Sequence, residues 1–247
     1  MIPGIITVRT SSSRLPGKCL LPFGECNVIQ HIIRRARHYS LDPIICTSTD
    51  SSDDILEQIA RQENCVFYRG SLINKLRRWA DCAAHFGLEA FHTVDADDPF
   101  FDGQEICESF ELLHHQNLDM VCPTKSSSYG GASVGYSLTT SIVIKAADGL
   151  AEDADTEMMW YYVDMVPNLK KEVLPEIKSR PIARLTLDYV EDYWLLESVR
   201  KIVGNFADRD EVDKLFFKNP DLHKINWFRN DEWRAKQLAK SPDNLAI

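Results

Sequence analysis

The stretch that decides the fold is IITVRTSSSRLPGK, at residues 5–18. Its first four residues, Ile5 to Val8, read as a buried strand, and a polar loop over residues 9–18 follows directly. Asn27 can then cap a helix with an apolar face at an i, i+3, i+4, i+7 spacing. The chain therefore opens with a strand–loop–helix unit.

The same alternation continues to about residue 125. It predicts strands at 43–47, 65–68, 91–94 and 120–122, and helices that begin near Asp53, near Leu72 and at residue 104. Repeated strand–helix units are typical of an α/β fold with a mainly parallel, twisted sheet flanked by helices. Ligands of such sheets bind at the carboxyl ends of the strands, so the loops 9–18 and 95–99 should meet at one crevice.

The second half of the chain is less regular. Strands are predicted at 138–144 and at 183–187, the latter ending at Asp188, and a helix follows with Tyr193, Leu196 and Val199 on one face. We expect residues 1–247 to form a single domain in which residues 205–247 are a C-terminal helical extension. The tail aromatics Trp227, Phe228 and Trp233 could bury against a second subunit and so make a homodimer.

Composition excludes several classes of protein. The 247 residues are 44% hydrophobic and carry a net charge of -9, which fits a globular protein and disfavours both disorder and nucleic-acid binding. No apolar run is long enough for a membrane helix, and the N-terminus does not resemble a signal peptide. The seven cysteines form no Cys-x-x-Cys pair, so we expect reduced thiols in a cytoplasmic protein.

The first loop carries three cations and three consecutive serine hydroxyls. Arg9, Arg14 and Lys18 supply guanidinium forks and an ammonium, which suit a polyphosphate. The spacing is not that of a Walker A loop, because Gly17-Lys18 is followed by Cys19, and no Gly-x-Gly-x-x-Gly motif occurs. From spacing alone, phosphate binding and a solvated basic loop both remain open.

Carboxylates follow two predicted strands. Asp95, Asp97 and Asp98 lie within four residues, and Asp188 follows the strand at 183–187. Mg²⁺ takes one or two carboxylates together with phosphate oxygens and water, so these residues are candidate ligands. Helix capping or a solvated acidic turn is the alternative for residues 95–98.

An ordered set of motifs resembles the cytidylyltransferase family, which contains the CMP-sugar-acid synthetases and the spore-coat polysaccharide protein F group. The most specific motif is Arg9-x-x-Ser-Ser-Arg-Leu-Pro-Gly-Lys18. Other matching segments follow in the same order up to Asn226: Thr47-Ser48 with Asp53-Asp54, Arg69-Gly70-Ser71 with Leu76 and Arg78, Asp97-x-Pro99, Leu185 to Asp188 with Glu191-Asp192, and Asn219 to Leu222 with Ile225-Asn226.

The resemblance implies a GT-A-like nucleotide-diphospho-sugar transferase fold and a CTP-dependent transfer of CMP with release of pyrophosphate. It implies that the first loop binds CTP through Arg9, Ser12, Ser13, Arg14 and Lys18, with Thr47 and Ser48 near the base or ribose. Mg²⁺ would be held by Asp97 and Asp188, with Asp95 as a weaker ligand. The catalytic residues would be Arg14, Lys18 and Asp97.

Departures from the family pattern leave the acceptor open. Ser11 stands where Gly is common, and residues 126–140 lack an acidic residue that many sugar-acid relatives carry. A small anionic acceptor could be a sugar acid, giving a CMP-sugar, or a phosphorylated or phosphoramidate metabolite such as phosphoglutamine, giving a CDP-type product. Either would serve surface or capsular polysaccharide biosynthesis.

The roles of three arginines and two alternative functions stay open at the level of sequence. Arg69, Arg78 and Arg184 are candidates for binding nucleotide or acceptor anions, and surface ion pairs are the alternative for Arg69 and Arg78. A non-catalytic nucleotide-binding scaffold is one alternative function. A glycosyltransferase of related fold that uses a nucleotide-sugar is the other.

Overall fold

A seven-stranded sheet runs through the protein. The computed structural model describes residues 1–128, 130–132, 134–176 and 179–239. The strands of the sheet are β1 (Ile2–Thr7), β4 (Leu41–Ser48), β5 (Val66–Gly70), β6 (Ala90–Asp95), β7 (Met120–Cys122), β8 (Ser137–Thr139) and β9 (Lys171–Val173). A separate antiparallel hairpin joins β2 (Pro22–Phe23) to β3 (Cys26–Asn27).

Ten helices accompany the sheet over the described residues. They are α1 (Val28–His38), α2 (Asp54–Gln62), α3 (Lys75–His85), α4 (Gly103–His115), α5 (Lys125–Ser128), α6 (Thr140–Ala147), α7 (Met159–Asp164), α8 (Val190–Val203), α9 (Arg209–Lys218) and α10 (Arg229–Ala239). Short 3-10 turns occupy Lys18–Leu20, Ser51–Asp53 and Pro220–Ile225. No helix in these ranges is long and apolar enough to cross a membrane.

The strand order β5-β4-β1-β6-β8-β7-β9 confirms the predicted mainly parallel sheet. Strands β5, β4, β1 and β6 pair in parallel, whereas β8 pairs antiparallel with both β6 and β7. The parallel strands β1, β4 and β6 therefore end at the same edge. The loops that follow β1 and β6 must meet there, as the sequence predicts.

Both faces of the sheet are covered, because successive residues of a strand point to opposite sides. Ile6 of β1 belongs to a core with residues of α1, α2, α8 and α9. Ile5 belongs to a second core with residues of α3, α6 and α7. A strand buried on both faces is a continuous apolar run, which is how Ile5 and Ile6 read in the sequence.

Most predicted elements of the first half are confirmed. The helix α1 begins after Asn27, whose side chain accepts a hydrogen bond from the Gln30 amide, while the Gln30 side chain accepts one from the Asn27 amide. The seven cysteines are free thiols. The tail is helical through α9, the 3-10 turn and α10 as far as Ala239, and residues 240–247 of the predicted extension lie outside the described residues.

One predicted strand of the second half is too long, and the other is wrong. The segment 138–144 begins in the short strand β8 and passes into α6, because Thr139 caps the helix and Ile142 and Val143 pack in the core against α3. The segment 183–187 joins no sheet among the described residues. Its amides bond singly, Leu185 to the Gly130 carbonyl and Leu187 to the Asp97 carbonyl.

Candidate active site

The loop over residues 9–18 folds back on itself at the end of β1. The amides of Ser12 and Gly17 both donate to the Thr10 carbonyl, at 3.0 and 3.1 Å. Gly17 has φ of 67°, a left-handed conformation that glycine adopts without strain. The turn carries the chain directly into the 3-10 helix that begins at Lys18, so Arg14 and Lys18 return over the edge of the sheet.

Asp53 fixes the start of this loop to the rest of the fold. Its carboxylate accepts hydrogen bonds from the Thr10 amide and the Thr10 hydroxyl, both at 2.8 Å. The hydroxyls of Thr47 and Ser48 donate to its other oxygen, at 3.0 and 2.5 Å. Burial alone would raise the pKa of Asp53, but these hydrogen bonds lower it. The fully buried Thr47 and Ser48 therefore support the loop through Asp53.

Lys18 lies between the two carboxylates that the sequence singles out. Its Nζ is 2.7 Å from Asp97 Oδ2, 2.8 Å from Asp188 Oδ1 and 2.8 Å from the Leu187 carbonyl oxygen. Arg14 Nη2 lies 2.7 Å from the same oxygen of Asp188. These distances confirm the predicted meeting of the basic loop with Asp97 and Asp188.

The charges in this cluster stabilise one another. Burial would lower the pKa of Lys18, yet Asp97 and Asp188 raise it above its ordinary value. Burial would raise the pKa of Asp188, yet Lys18 and Arg14 lower it. Both groups are therefore charged at neutral pH.

The three acids of the turn after β6 have different surroundings. The Asp97 side chain is 26% exposed and faces Lys18. Asp95 lies 3.7 Å from Lys75 Nζ. Asp98 is buried and accepts a hydrogen bond from Thr186 at 2.7 Å. Burial, with repulsion from Asp97 and Asp95, raises the pKa of Asp98. Asp95 and Asp97 both line the cavity, and Asp97 is the one that contacts Lys18.

A cavity of about 520 Å³ opens beside this cluster. Residues of the β1 loop, the start of α3 and the turn after β6 line it: Thr7, Val8, Arg9, Ser11, Ser12, Ser13, Arg14, Lys18, Cys19, Ile73, Lys75, Arg78, Asp95, Ala96, Asp97 and Glu157. The lining thus includes every first-loop residue that the sequence assigns to CTP. It also includes Ile73, Lys75 and Glu157, to which the sequence analysis assigned no role. Lys75 had a usable signal, because it opens α3 five positions after the end of β5.

Five candidates lie outside the cavity lining: Asp188, Thr47, Ser48, Arg69 and Arg184. Asp188 is buried and contacts Lys18 and Arg14, which do line the cavity. Thr47 and Ser48 face Asp53, as described above. Arg69 pairs with Asp54 at 2.7 Å and donates to the Ser48 carbonyl at 2.9 Å. Arg184 is fully buried and bonds to Asp188 and Asp192. Arg69 thus forms an ion pair with an exposed acid, the alternative that the sequence left open for it, and Arg184 forms its ion pairs inside the protein.

Two arginines at the cavity have backbone partners. Arg9 Nη1 donates to the Leu72 carbonyl at 2.7 Å. Arg78 Nη1 donates to the Ser71 carbonyl at 2.5 Å, and burial lowers the pKa of the Arg78 guanidinium. Both side chains line the cavity, and their hydrogen bonds position the segment before α3 at the cavity wall.

The donor set suits Mg²⁺ only together with a nucleotide. Within the described residues, no group of three or more His, Cys, Asp and Glu side chains could hold a metal ion. Asp97 and Asp188 converge on one cation, Lys18 Nζ. Two carboxylates with phosphate oxygens and water complete the octahedral oxygen set of Mg²⁺.

Known proteins resemble this chain over most of its length. Residues 4–182 match the family described as cytidylyltransferase. The spore coat polysaccharide biosynthesis protein SpsF of Bacillus subtilis is 27% identical over 88% of this chain and 94% of its own length. An uncharacterised protein of Methanocaldococcus jannaschii is 28% identical over 91% of this chain and 94% of its own.

Solved structures share the fold. A cytidylyltransferase from Leptospira borgpetersenii superposes with a TM-score of 0.78 at 21% identity, covering 90% of this chain and 95% of that one. A CMP-2-keto-3-deoxy-manno-octonic acid synthetase in complex with CTP superposes with a TM-score of 0.58 at 13% identity, covering 81% and 97%. The family match covers well over half of the chain, so the protein belongs to the cytidylyltransferase family and is a nucleotidyltransferase of the nucleotide-diphospho-sugar transferase fold.

Proposed function

We propose that the protein transfers CMP from CTP to a small anionic acceptor, with Mg²⁺ as cofactor and pyrophosphate as the leaving group. The observation that carries the proposal is the placement of Lys18 and Arg14 against Asp97 and Asp188 beside the cavity. Cations for a triphosphate and carboxylates for its metal ion are thus within a few ångströms of one another.

The first loop supplies the groups that bind the triphosphate. Ser12 and Ser13 offer hydroxyls and amides at the cavity wall, and Arg9 offers a guanidinium. Arg14 and Lys18 are held by carboxylates when no nucleotide is present, and they gain phosphate oxygens as partners when CTP binds. Exchanging one anion for another keeps these cations paired throughout.

The chemistry is an attack by an acceptor oxygen on the α-phosphorus of CTP. The bond from the α-phosphorus to the bridging oxygen breaks, and its electron pair leaves with pyrophosphate. Arg14 and Lys18 stabilise the negative charge that grows on the leaving group. Mg²⁺ bound by Asp97 and Asp188 would neutralise charge shared by the α-phosphate and the acceptor. Asp97 is fixed for this role by the Leu187 amide, which donates to its backbone carbonyl.

The acceptor belongs to the biosynthesis of a surface or capsular polysaccharide. The name of the SpsF relative, a spore coat polysaccharide biosynthesis protein, supports this class of pathway. A sugar acid gives a CMP-sugar, and a phosphorylated or phosphoramidate metabolite gives a CDP-type product. Unpaired thiols favour a cytoplasmic location, where such precursors are activated.

A pyrophosphate-release assay tests the proposal. The protein is incubated with Mg²⁺, with CTP, UTP, GTP or ATP, and with a panel of sugar acids and phosphorylated metabolites. We expect release with CTP and one class of acceptor. CTP binding in calorimetry without release from any acceptor would favour the non-catalytic scaffold. Binding of a nucleotide-sugar in place of CTP would favour the glycosyltransferase.

Substitutions at the centre of the cluster test the assigned roles. We expect Lys18→Ala and Asp97→Asn each to lower kcat/KM by about 10²-fold or more, because each removes charge that acts on the transition state. Circular dichroism should show both variants folded. Lys145→Ala, on an exposed position of α6, is the control and should keep full activity. Turnover like that of the original protein in either variant contradicts the assignment.

A further inference from the structure

The carboxylate of Asp188 is divided between two groups of cations. Its Oδ1 contacts Lys18 and Arg14, which line the cavity. Its Oδ2 faces the interior and lies 3.3 Å from Arg184 Nη2. The side chain is only 1% exposed, so its orientation is fixed by these contacts. The groups that position Arg184 therefore determine how strongly its guanidinium binds Asp188 Oδ2.

Arg184 is held more closely by a second acid, Asp192. Its Nε lies 2.9 Å from Asp192 Oδ1, and its Nη2 lies 3.1 Å from Asp192 Oδ2, a two-point contact. The contact to Asp188 is single and longer. Because two-point guanidinium–carboxylate contacts are the stronger kind, Asp192 is the main counter-ion of Arg184. The Asp188 carboxylate is therefore only partly neutralised by Arg184, and its Oδ1 can bind another cation.

Asp192 is positioned from two directions. The amides of Asp188 and Tyr189 both donate to its Oδ2 at 2.9 Å, at the start of α8. The Asn226 side-chain amide donates to its Oδ1 at 2.8 Å and to the Arg184 carbonyl at 2.9 Å. A carboxylate at a helix N-terminus also gains from the helix dipole. Asp192 thus links the backbone of Asp188 to the C-terminal segment.

The C-terminal segment reaches this group a second time. Asn230 Oδ1 accepts a hydrogen bond from Arg184 Nη1 at 2.9 Å. Arg184, Asp192 and Asn226 are 0% exposed, and Asn230 is 6% exposed. All four lie beyond residue 182, where the family match ends. We call Arg184, Asp192, Asn226 and Asn230 the Asp188 support.

We propose that the Asp188 support positions the Asp188 carboxylate for the cation that accompanies CTP, an inference that rests on the proposed function. The four residues are positioning residues, because none of them lines the cavity. When the charge of Asp192 is removed, Arg184 loses its main counter-ion and pairs fully with Asp188. The guanidinium then competes with the metal ion for that carboxylate.

The affinity for Mn²⁺ distinguishes a role in positioning Asp188 from a role in stability alone. Mn²⁺ is titrated into the protein with CTP present, and free Mn²⁺ is followed by electron paramagnetic resonance. We expect Asp192→Asn to weaken Mn²⁺ binding at least about tenfold, the usual effect of losing a group that orients a metal ligand. Binding of CTP without metal should stay within about twofold, since the first loop is untouched.

Control variants account for destabilisation. Ile142→Val lies in the core on the other face of the sheet, and Asn219→Ala lies on an exposed cap of α9. Both should leave Mn²⁺ affinity unchanged even if they lower the melting temperature, because neither residue forms a hydrogen bond with the Asp188 support among the described residues. If Asp192→Asn does not fold, Asn226→Ala and Asn230→Ala carry the test, and weaker Mn²⁺ binding is expected for both.

The outcomes distinguish the two proposals. Unchanged Mn²⁺ affinity in the folded support variants, with normal binding by the original protein, overturns the positioning role and leaves the proposed function standing. Failure of the original protein to bind Mn²⁺ with CTP overturns the proposed function and the positioning role with it. A loss confined to Mn²⁺ affinity supports both.

Discussion

Lys18 lies where two carboxylates and a backbone carbonyl oxygen converge. Its ammonium contacts both candidate metal ligands and a backbone carbonyl, all within 2.8 Å. The two acids are thus neutralised before any nucleotide arrives. A free divalent ion must compete with a tethered ammonium, whereas the CTP complex brings phosphate oxygens that give the ammonium another partner. We therefore expect metal and nucleotide to bind together.

Substituting Lys18 should make the site bind metal without nucleotide. We expect Lys18→Met to bind Mn²⁺ in the absence of CTP about tenfold or more tightly than the original protein, because coupling between close, buried charges is of that order. Isothermal titration of Mn²⁺ into each protein measures the difference. Lys75→Met is the matched control, since Lys75 lines the same cavity but its ammonium lies beside Asp95 and over the Trp79 ring. Equal affinities in Lys18→Met and the original protein would contradict the competition.

At the scale of elements, the conformation of the 9–18 loop depends on Asp53 at the start of α2. The neighbouring Asp54 offers a comparison, because its side chain is 59% exposed and pairs with Arg69 at the surface. The two adjacent acids thus have different partners. Asp53 accepts hydrogen bonds from the loop and from the end of β4, whereas Asp54 forms an ion pair with Arg69.

Alanine substitutions of these two acids should have different effects. We expect Asp53→Ala to lower the free energy of unfolding by about 2 kcal/mol, because hydrogen bonds to a charged acceptor are lost and the Thr47 and Ser48 hydroxyls stay buried. It should also raise KM for CTP, since the loop loses its anchor. Asp54→Ala should change stability by less than about 1 kcal/mol, as for an exposed ion pair. Urea unfolding and CTP titration measure both, and equal effects would contradict this account.

The predicted elements succeeded where local pattern and packing agree. Asn27 caps α1, and the continuous apolar runs of β1 and β4 lie between two cores, as their sequences indicate. The run Thr139 to Ile144 is rich in β-branched residues, yet Thr139 caps a helix there and its apolar face packs on α3. Tertiary packing outweighed strand propensity in that segment.

At the scale of the whole molecule, the site depends on contacts that no local pattern encodes. Lys18 and Asp188 are 170 positions apart in the chain. The sequence placed both at strand ends, but Asp188 follows a segment that joins no strand of the described sheet. The support from Asn226 and Asn230 comes from the far end of the chain. Those residues lie within or beside a motif of the resemblance, and their contacts became visible only in three dimensions.

Two buried histidines, His31 and His92, make the stability of the folded protein depend on pH. His31 on α1 donates a hydrogen bond from Nε2 to the Pro99 carbonyl at 2.9 Å, directly beneath the acidic turn. His92 on β6 contacts the Ser137 hydroxyl and the Val134 carbonyl. Burial lowers the pKa of each imidazole from 6.5 to about 4. Both side chains are therefore neutral in the folded protein at neutral and mildly acidic pH.

Acid should therefore destabilise the protein before its carboxylates are protonated in bulk. Between pH 6.5 and pH 4 the unfolded chain binds protons at these histidines and the folded chain does not, so the free energy of unfolding falls as the pH falls. Each histidine contributes a loss of about 2 kcal/mol between pH 7 and pH 5 by this linkage. Urea unfolding at the two pH values measures the total, to which other groups also contribute.

A variant isolates the contribution of one histidine. His31→Gln keeps a donor for the Pro99 carbonyl but cannot be protonated, so its loss of stability between pH 7 and pH 5 should be smaller by about 2 kcal/mol than that of the original protein. Other titrating groups are common to both proteins and cancel in the comparison. An unchanged pH dependence in His31→Gln would mean that His31 can be protonated without unfolding the turn that carries Asp97.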